Sequence, residues 1–141
     1  MKPLIVDASV AAKWFLPERD AAPALRLLNG RYPLIAPDLI RAEFGNIVWK
    51  LHTRGTLDTK EASDMMEHFL SMPLEIHDST YLLAPALQIA IATNRTVYDS
   101  LYLALAVELN GTVVTADERW VHALESTPFT HFIRPLSQRR R

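Results

Sequence analysis

Four carboxylates in this chain sit where carboxylates are costly. Asp7 follows the apolar run Leu4-Ile5-Val6, and Asp117 follows the strand-like run 112–115. Glu43 falls inside the apolar stripe of a helix predicted over residues 38–51, and Asp99 opens the nearly all-apolar segment 101–109. A lone buried carboxylate loses several kcal/mol of hydration or gives up its charge. A group of four is better explained by a shared divalent cation, whose own charge keeps converging carboxylates ionised. Oxygen-only ligands select hard cations, so Mg2+, or else Mn2+, is favoured over zinc or copper. Magnesium keeps several waters and takes one or two carboxylates plus substrate phosphate oxygens. Such a shell suits phosphodiester hydrolysis, because the ion acidifies water and neutralises phosphoryl and leaving oxygens. Two ions about 3.5–4 Å apart can divide those tasks, and the sequence leaves open whether one or two are held.

Each acid also has a purely structural explanation. Asp99 and Asp117 are placed to cap helices, as are Asp20, Asp38 and Asp78. Capping is a weaker account of Asp7, set tightly against an apolar strand. It gives none of Glu43, since a mid-helix carboxylate caps nothing. Arg41 and Lys50 do not fall on the stripe that holds Glu43. Ser9 and Thr115 are candidates to orient a metal-bound water or an aspartate, or else to make local turn hydrogen bonds. Asn46, one turn beyond Glu43, is placed to bond that carboxylate or a substrate. Other chemistries are poorly supported: the four glycines are scattered singly, no nucleophile elbow occurs, and the five histidines lack metal-ligand spacing.

The elements that must position these residues alternate. Short apolar runs at 4–6, 34–36, 74–76 and 112–115 read as strands, with 132–133 as a fifth, edge strand. Helices are predicted over 8–16, stopped by Pro17, and over 20–29, stopped by Asn29-Gly30. Further helices are predicted over 38–51, 59–70, 81–93, 98–109 and 118–124. In 38–51, Ile40, Phe44, Ile47, Val48 and Leu51 form one stripe. Strands alternating with helices imply a parallel sheet covered on both faces, with ligands gathered at the carboxyl ends of the strands. Asp7 and Asp117 then share a rim, and helices starting there carry Asp99 and Glu43 to it.

Composition bounds the rest. The 141 residues, 49% hydrophobic and 22% charged, suit one domain over 1–141, with 137–141 as a flexible basic tail. No cysteine is present, which excludes disulfides and thiolate zinc and fits a cytoplasmic location. The longest mostly apolar stretch, 81–92, is too short for the roughly 20 residues of a membrane span, and no signal peptide is expected. With a net charge of −1, any polyanion must bind a local patch. Arg139-Arg140-Arg141 is the obvious cluster, or simply a solvated tail.

Four blocks resemble one known family. They are Val6-Asp7-Ala8-Ser9 with Lys13-Trp14-Phe15; Ala36-Pro37-Asp38-Leu39 running into Glu43; residues 98–106 from Tyr98 and Asp99; and Thr115-Ala116-Asp117. In order and spacing the chain is similar to PIN-domain proteins, specifically the VapC-type toxins of toxin–antitoxin pairs. The resemblance implies an α/β fold, a three-layer α/β/α sandwich with a parallel sheet of four to five strands. It implies a magnesium-dependent endoribonuclease that hydrolyses RNA with water activated by the metal. Asp7, Glu43, Asp99 and Asp117 match the family's acidic quartet, Asp7 and Asp99 its main metal-binding positions, and Thr115 its small hydroxyl residue. It further implies a homodimer silenced by a cognate antitoxin, for which Trp14, Phe15 and Trp49 are candidate exposed contacts, or else residues of core or dimer packing.

On this reading Lys13, Arg41, Lys50, Arg95 and Arg119 are candidates to hold the RNA backbone. Two readings from other classes compete. A magnesium-binding receiver or phosphotransfer module also places acids at strand ends, but it needs a rim lysine and leaves Glu43 idle. A non-catalytic binding module would use the acids only to engage a basic partner. DNA flaps remain alternative substrates on the same fold, because 2′-hydroxyl contacts are not legible in sequence.

Overall fold

The structure, a computed structural model, describes residues 2–137. The expected tail therefore lies, apart from Ser137, outside the described residues. Five strands form one sheet: β1 (Leu4–Val6), β2 (Leu34–Pro37), β3 (Glu75–His77), β4 (Thr112–Thr115) and β5 (Ile133–Pro135). All pair in parallel, in the order β3-β2-β1-β4-β5. β1 and β2 are buried throughout and β4 nearly so, as continuous apolar runs in a doubly covered sheet require.

Among the described residues seven α-helices connect them: α1 (Ala8–Ala12), α2 (Ala21–Arg26), α3 (Leu39–Thr53), α4 (Thr59–Leu70), α5 (Leu83–Thr93), α6 (Val97–Leu109) and α7 (Glu118–Ala123). β1, β2 and β3 step one way across the sheet, whereas β1, β4 and β5 step the other. Right-handed crossovers therefore place α1–α4 on one face and α5–α7 on the opposite face, giving the three-layer α/β/α sandwich. α6 packs on β1, β2 and β4, and α3 packs on α1, α4 and β2. Phe44 of α3 stacks on Phe69 of α4 at 4.0 Å, and Phe15 meets Phe44 edge-on at 5.5 Å.

Several expected boundaries and caps need correction. The first helix stops at Ala12, four residues before the expected end. Pro17 disfavours helical backbone before it, and the intervening turns seat Trp14 in the core, its Nε1 donating to Ala24 O at 2.9 Å. Trp14 is thus 8% exposed, not a surface contact. Phe15 is half-buried and Trp49 is 59% exposed. Asp20 stands at the start of α2 with left-handed backbone, at φ 65°, and its side chain makes no capping hydrogen bond to that helix. Asp38 does not cap α3 either, because its carboxylate accepts from Ser79 Oγ instead. The fifth predicted helix begins as a 3-10 turn, Thr80–Leu82, before α5. Thr96 caps α6, accepting from Asp99 N at 3.1 Å, so Asp99 sits in the first turn with its carboxylate released from capping.

Candidate active site

Strand order reverses between β1 and β4, the position where open α/β sheets hold ligands. A cleft of about 290 Å³ opens there, lined by Asp7, Ser9, Glu43, Asn46, Asp99 and Asp117, with Tyr102 and Trp120 among its walls. The fold thus brings all four acids to one place. Each arrives by its element: Asp7 at the end of β1, Glu43 from the second turn of α3, Asp99 from the first turn of α6, Asp117 just past β4.

Asp7 is the most tightly held. It is 8% exposed. Its Oδ1 accepts from Ser9 Oγ at 2.7 Å and Val10 N at 3.0 Å, and its Oδ2 accepts from Thr115 Oγ1 at 2.5 Å. Oδ1 accepts two hydrogen bonds and Oδ2 one, so Oδ2 retains acceptor capacity. The two hydroxyls are themselves anchored: Ser9 Oγ accepts from Ala116 N at 3.2 Å and Thr115 Oγ1 from Asp117 N at 3.0 Å. Together they stitch the ends of β1 and β4. Ser9 and Thr115 therefore orient an aspartate, one of the alternatives the sequence left open. Asp7 also caps α1, and Asp117 caps α7 by accepting from Trp120 N at 3.2 Å; capping and cleft placement coexist in both.

Glu43 accepts a 2.6 Å hydrogen bond from the hydroxyl of Tyr102 on α6, across the cleft. Tyr102 was not singled out in sequence. It lies one turn after Asp99, and that i, i+3 spacing on a helix starting at the rim was the available signal. Of the basic candidates, Arg95 is paired with these acids, its Nη2 lying 3.0 Å from Asp99 Oδ2 and 3.5 Å from Asp117 Oδ2. Lys13 is spent elsewhere, donating to Arg19 O at 2.7 Å and pairing with Glu18 at 3.4 Å. Arg41 and Lys50 are exposed on α3, Arg41 beside a separate hollow with Phe69 and Leu74, and Arg119 is exposed on α7.

Electrostatics fit a cation site. Burial pushes the Asp7 carboxyl up, against hydrogen bonds from Thr115, Ser9 and Val10 that pull it down, and the Asp99 charge adds to the rise. Burial likewise raises Glu43, opposed by the Tyr102 hydroxyl and reinforced by Asp7 and Asp99. Asp99 is raised by burial and by Asp117, with Arg95 acting the other way. Burial, then the Glu43 charge, holds Tyr102 well above the ordinary phenol range, so it remains a donor. Asp7, Glu43 and Asp99 are thus destabilised as anions by burial and by neighbouring carboxylates, which is what a bound divalent ion would relieve. Among the described residues no three acidic or histidine side chains form a finished cage for a metal ion. The donor set is an open acidic bowl, of the kind that suits an ion retaining its waters.

Sheet, switch-point cleft and acidic donor set define an α/β/α protein of the acidic-cleft class. The PIN domain family model matches residues 4–124, and the chain belongs to the PIN-domain family, within its VapC group of toxin–antitoxin toxins. It is 35% identical over 118 residues to Ribonuclease VapC3 of Pyrobaculum aerophilum, covering 82% of this chain and 90% of that protein. The fold is shared with the crystal structure of PAE2754 from Pyrobaculum aerophilum, at TM-score 0.73 and 24% identity over 96% of this chain and 84% of that one. It is shared also with a toxin–antitoxin complex from Klebsiella pneumoniae, at TM-score 0.67 and 13% identity over 96% and 98% of the respective chains. Among the described residues, no helix is long and apolar enough to cross a membrane.

Proposed function

We propose that this chain is a divalent-metal-dependent endoribonuclease acting as the toxin of a toxin–antitoxin pair. The observation that carries the reading is the convergence of Asp7, Glu43, Asp99 and Asp117 on one cleft, with Asp7 locked by two hydroxyls. The likeness to Ribonuclease VapC3 supports RNA as the substrate. Asp7 and Asp99 are the residues to hold Mg2+, or Mn2+ in its place. Such an ion would supply acidified water and charge neutralisation at the phosphodiester.

The chain's own residues do the remainder. Ser9 and Thr115 keep the Asp7 carboxylate still. Tyr102 keeps Glu43 ionised and aimed into the cleft, where it can take the proton of an attacking water. Asn46, on the same wall, offers an amide donor to a phosphate oxygen. In-line attack expels the 3′ oxygen and leaves fragments with a 5′-phosphate and a 3′-hydroxyl, which end-group analysis would identify. Among the described residues the cation paired with these acids is an arginine, not the lysine that the receiver reading needs.

A cognate antitoxin is the proposed regulatory partner, supported by the Klebsiella pneumoniae match, which is a toxin–antitoxin complex. A homodimer is proposed through the outer face of α5. The deciding experiment is cleavage of an RNA pool by purified protein with Mg2+ or Mn2+, alongside EDTA and a folded Asp99→Asn variant. Cleavage should vanish with EDTA and fall at least about a hundredfold in Asp99→Asn. Undiminished cleavage by the folded variant would overturn the proposal.

A further inference from the structure

Arg95 stands in the short link between α5 and α6, after Asn94, whose left-handed backbone (φ 55°) ends α5. Its side chain reaches the edge of the cleft formed by Asp99 and Asp117, where its guanidinium lies 5.9 Å from the centroid of the Trp120 ring. It reaches Asp99 and Asp117 through one nitrogen alone, Nη2, at 3.0 and 3.5 Å. Its Nε is buried and has no hydrogen-bond partner among the described residues. This is a poorly seated guanidinium. A structural arginine pairs side-on with two parallel hydrogen bonds and satisfies its buried donors, and Arg95 does neither. It bridges two carboxylates end-on, as a small cation would, and its side chain keeps 26% exposure through which to withdraw.

We infer that Arg95 is a built-in counter-ion that competes with the divalent cation for Asp99 and Asp117, so that loading the cleft requires its guanidinium to move aside. The inference rests on the metal-dependent reading above and deepens it. Without a divalent ion, facing carboxylates on α6 and after β4 repel, and Arg95 neutralises that edge of the cleft. With the ion bound, two positive centres would share Asp99, and the weakly anchored one gives way. Arg95 thereby keeps the metal-free protein folded and raises the metal concentration needed to arm it.

Titrating Mn2+ calorimetrically into chelator-stripped wild type, Arg95→Gln and Arg54→Gln tests this. Arg54, at the C-terminal end of α3 and remote from the cleft, carries the same charge change. Arg95→Gln should bind Mn2+ about fivefold or more tightly than wild type and melt at a lower temperature in EDTA. Arg54→Gln should bind as wild type does. Should Arg95→Gln fail to fold, Arg95→Lys keeps the charge without the guanidinium contact to Trp120 and should bind Mn2+ more tightly than wild type by a smaller factor. Equal or weaker binding by the folded Arg95 variants, beside wild type that does bind, would overturn the inference alone. Equal tightening in Arg54→Gln would also overturn it, by revealing a general field effect. Wild type that binds no Mn2+ would sink the metal-dependent reading and this inference with it.

Discussion

Tyr102 and Glu43 are the pair by which α6 acts on α3. The phenol is 2% exposed and donates to a carboxylate that burial has already raised. Because that hydrogen bond stabilises the ionised carboxylate, its loss raises the Glu43 pKa further. Activity that needs ionised Glu43 should then switch on at higher pH. Tyr102→Phe is accordingly expected to move the acidic limb of the pH–rate profile for RNA cleavage upward. A limb that stays in place would detach Glu43 from the reaction.

At the scale of elements, the cleft depends on how closely β1 and β4 run. Leu4, Ile5 and Val6 register with Thr112, Val113 and Val114, which sets Asp7 opposite the Thr115–Asp117 turn. The entry to β4 is tight. A Cβ on Gly111 would lie 2.7 Å from Pro3 O and 3.1 Å from Pro3 Cγ. Thr112 N also donates to Pro3 O at 3.2 Å, so the two backbones cannot part without loss. Gly111→Ala should therefore destabilise the protein by about 1–3 kcal/mol, seen as a lower chemical-denaturation midpoint. A midpoint equal to wild type would mean that the β1–β4 approach is softer than this contact implies. The α3–α4 hairpin is built more locally. Its second helix starts with a reciprocal capping box, Asp58 accepting from Glu61 N at 2.7 Å and Glu61 accepting from Asp58 N at 2.9 Å.

For the whole molecule, α5 is the helix whose outer face bears on the proposed dimer. It carries no charged residue, and its outward stripe Leu83, Leu87 and Ile91 is 48, 51 and 76% exposed. A helix apolar on all sides is normally buried, and a second copy of the same uncharged face is a complementary cover. In sedimentation, wild type is expected to run as a dimer and Ile91→Asp as a folded monomer. A monomeric wild type, or an undisturbed dimer in the variant, would remove α5 from the interface. With net charge near zero, the RNA binding proposed above would depend on the cleft and its rim, not on the molecule's overall field.

The parallel sheet, the order of its elements and the membership of the acidic group were legible in the sequence, because they follow from short-range pattern. Apolar runs of three or four residues mark buried strands. An acid immediately after such a run, or inside an apolar helical stripe, has no inexpensive place in a core. Tertiary structure decided the relations that pattern does not encode. It set Thr115 against Asp7, tied Tyr102 to Glu43, spent Lys13 on its own loop and swung Arg95 across Asp99 and Asp117. It also chose among acids that look alike in sequence: Asp38 was drawn off by Ser79, and Thr96 took the cap of α6. Those outcomes rest on contacts between residues up to 108 positions apart, and only the packed sheet and its crossovers fix which side chains meet.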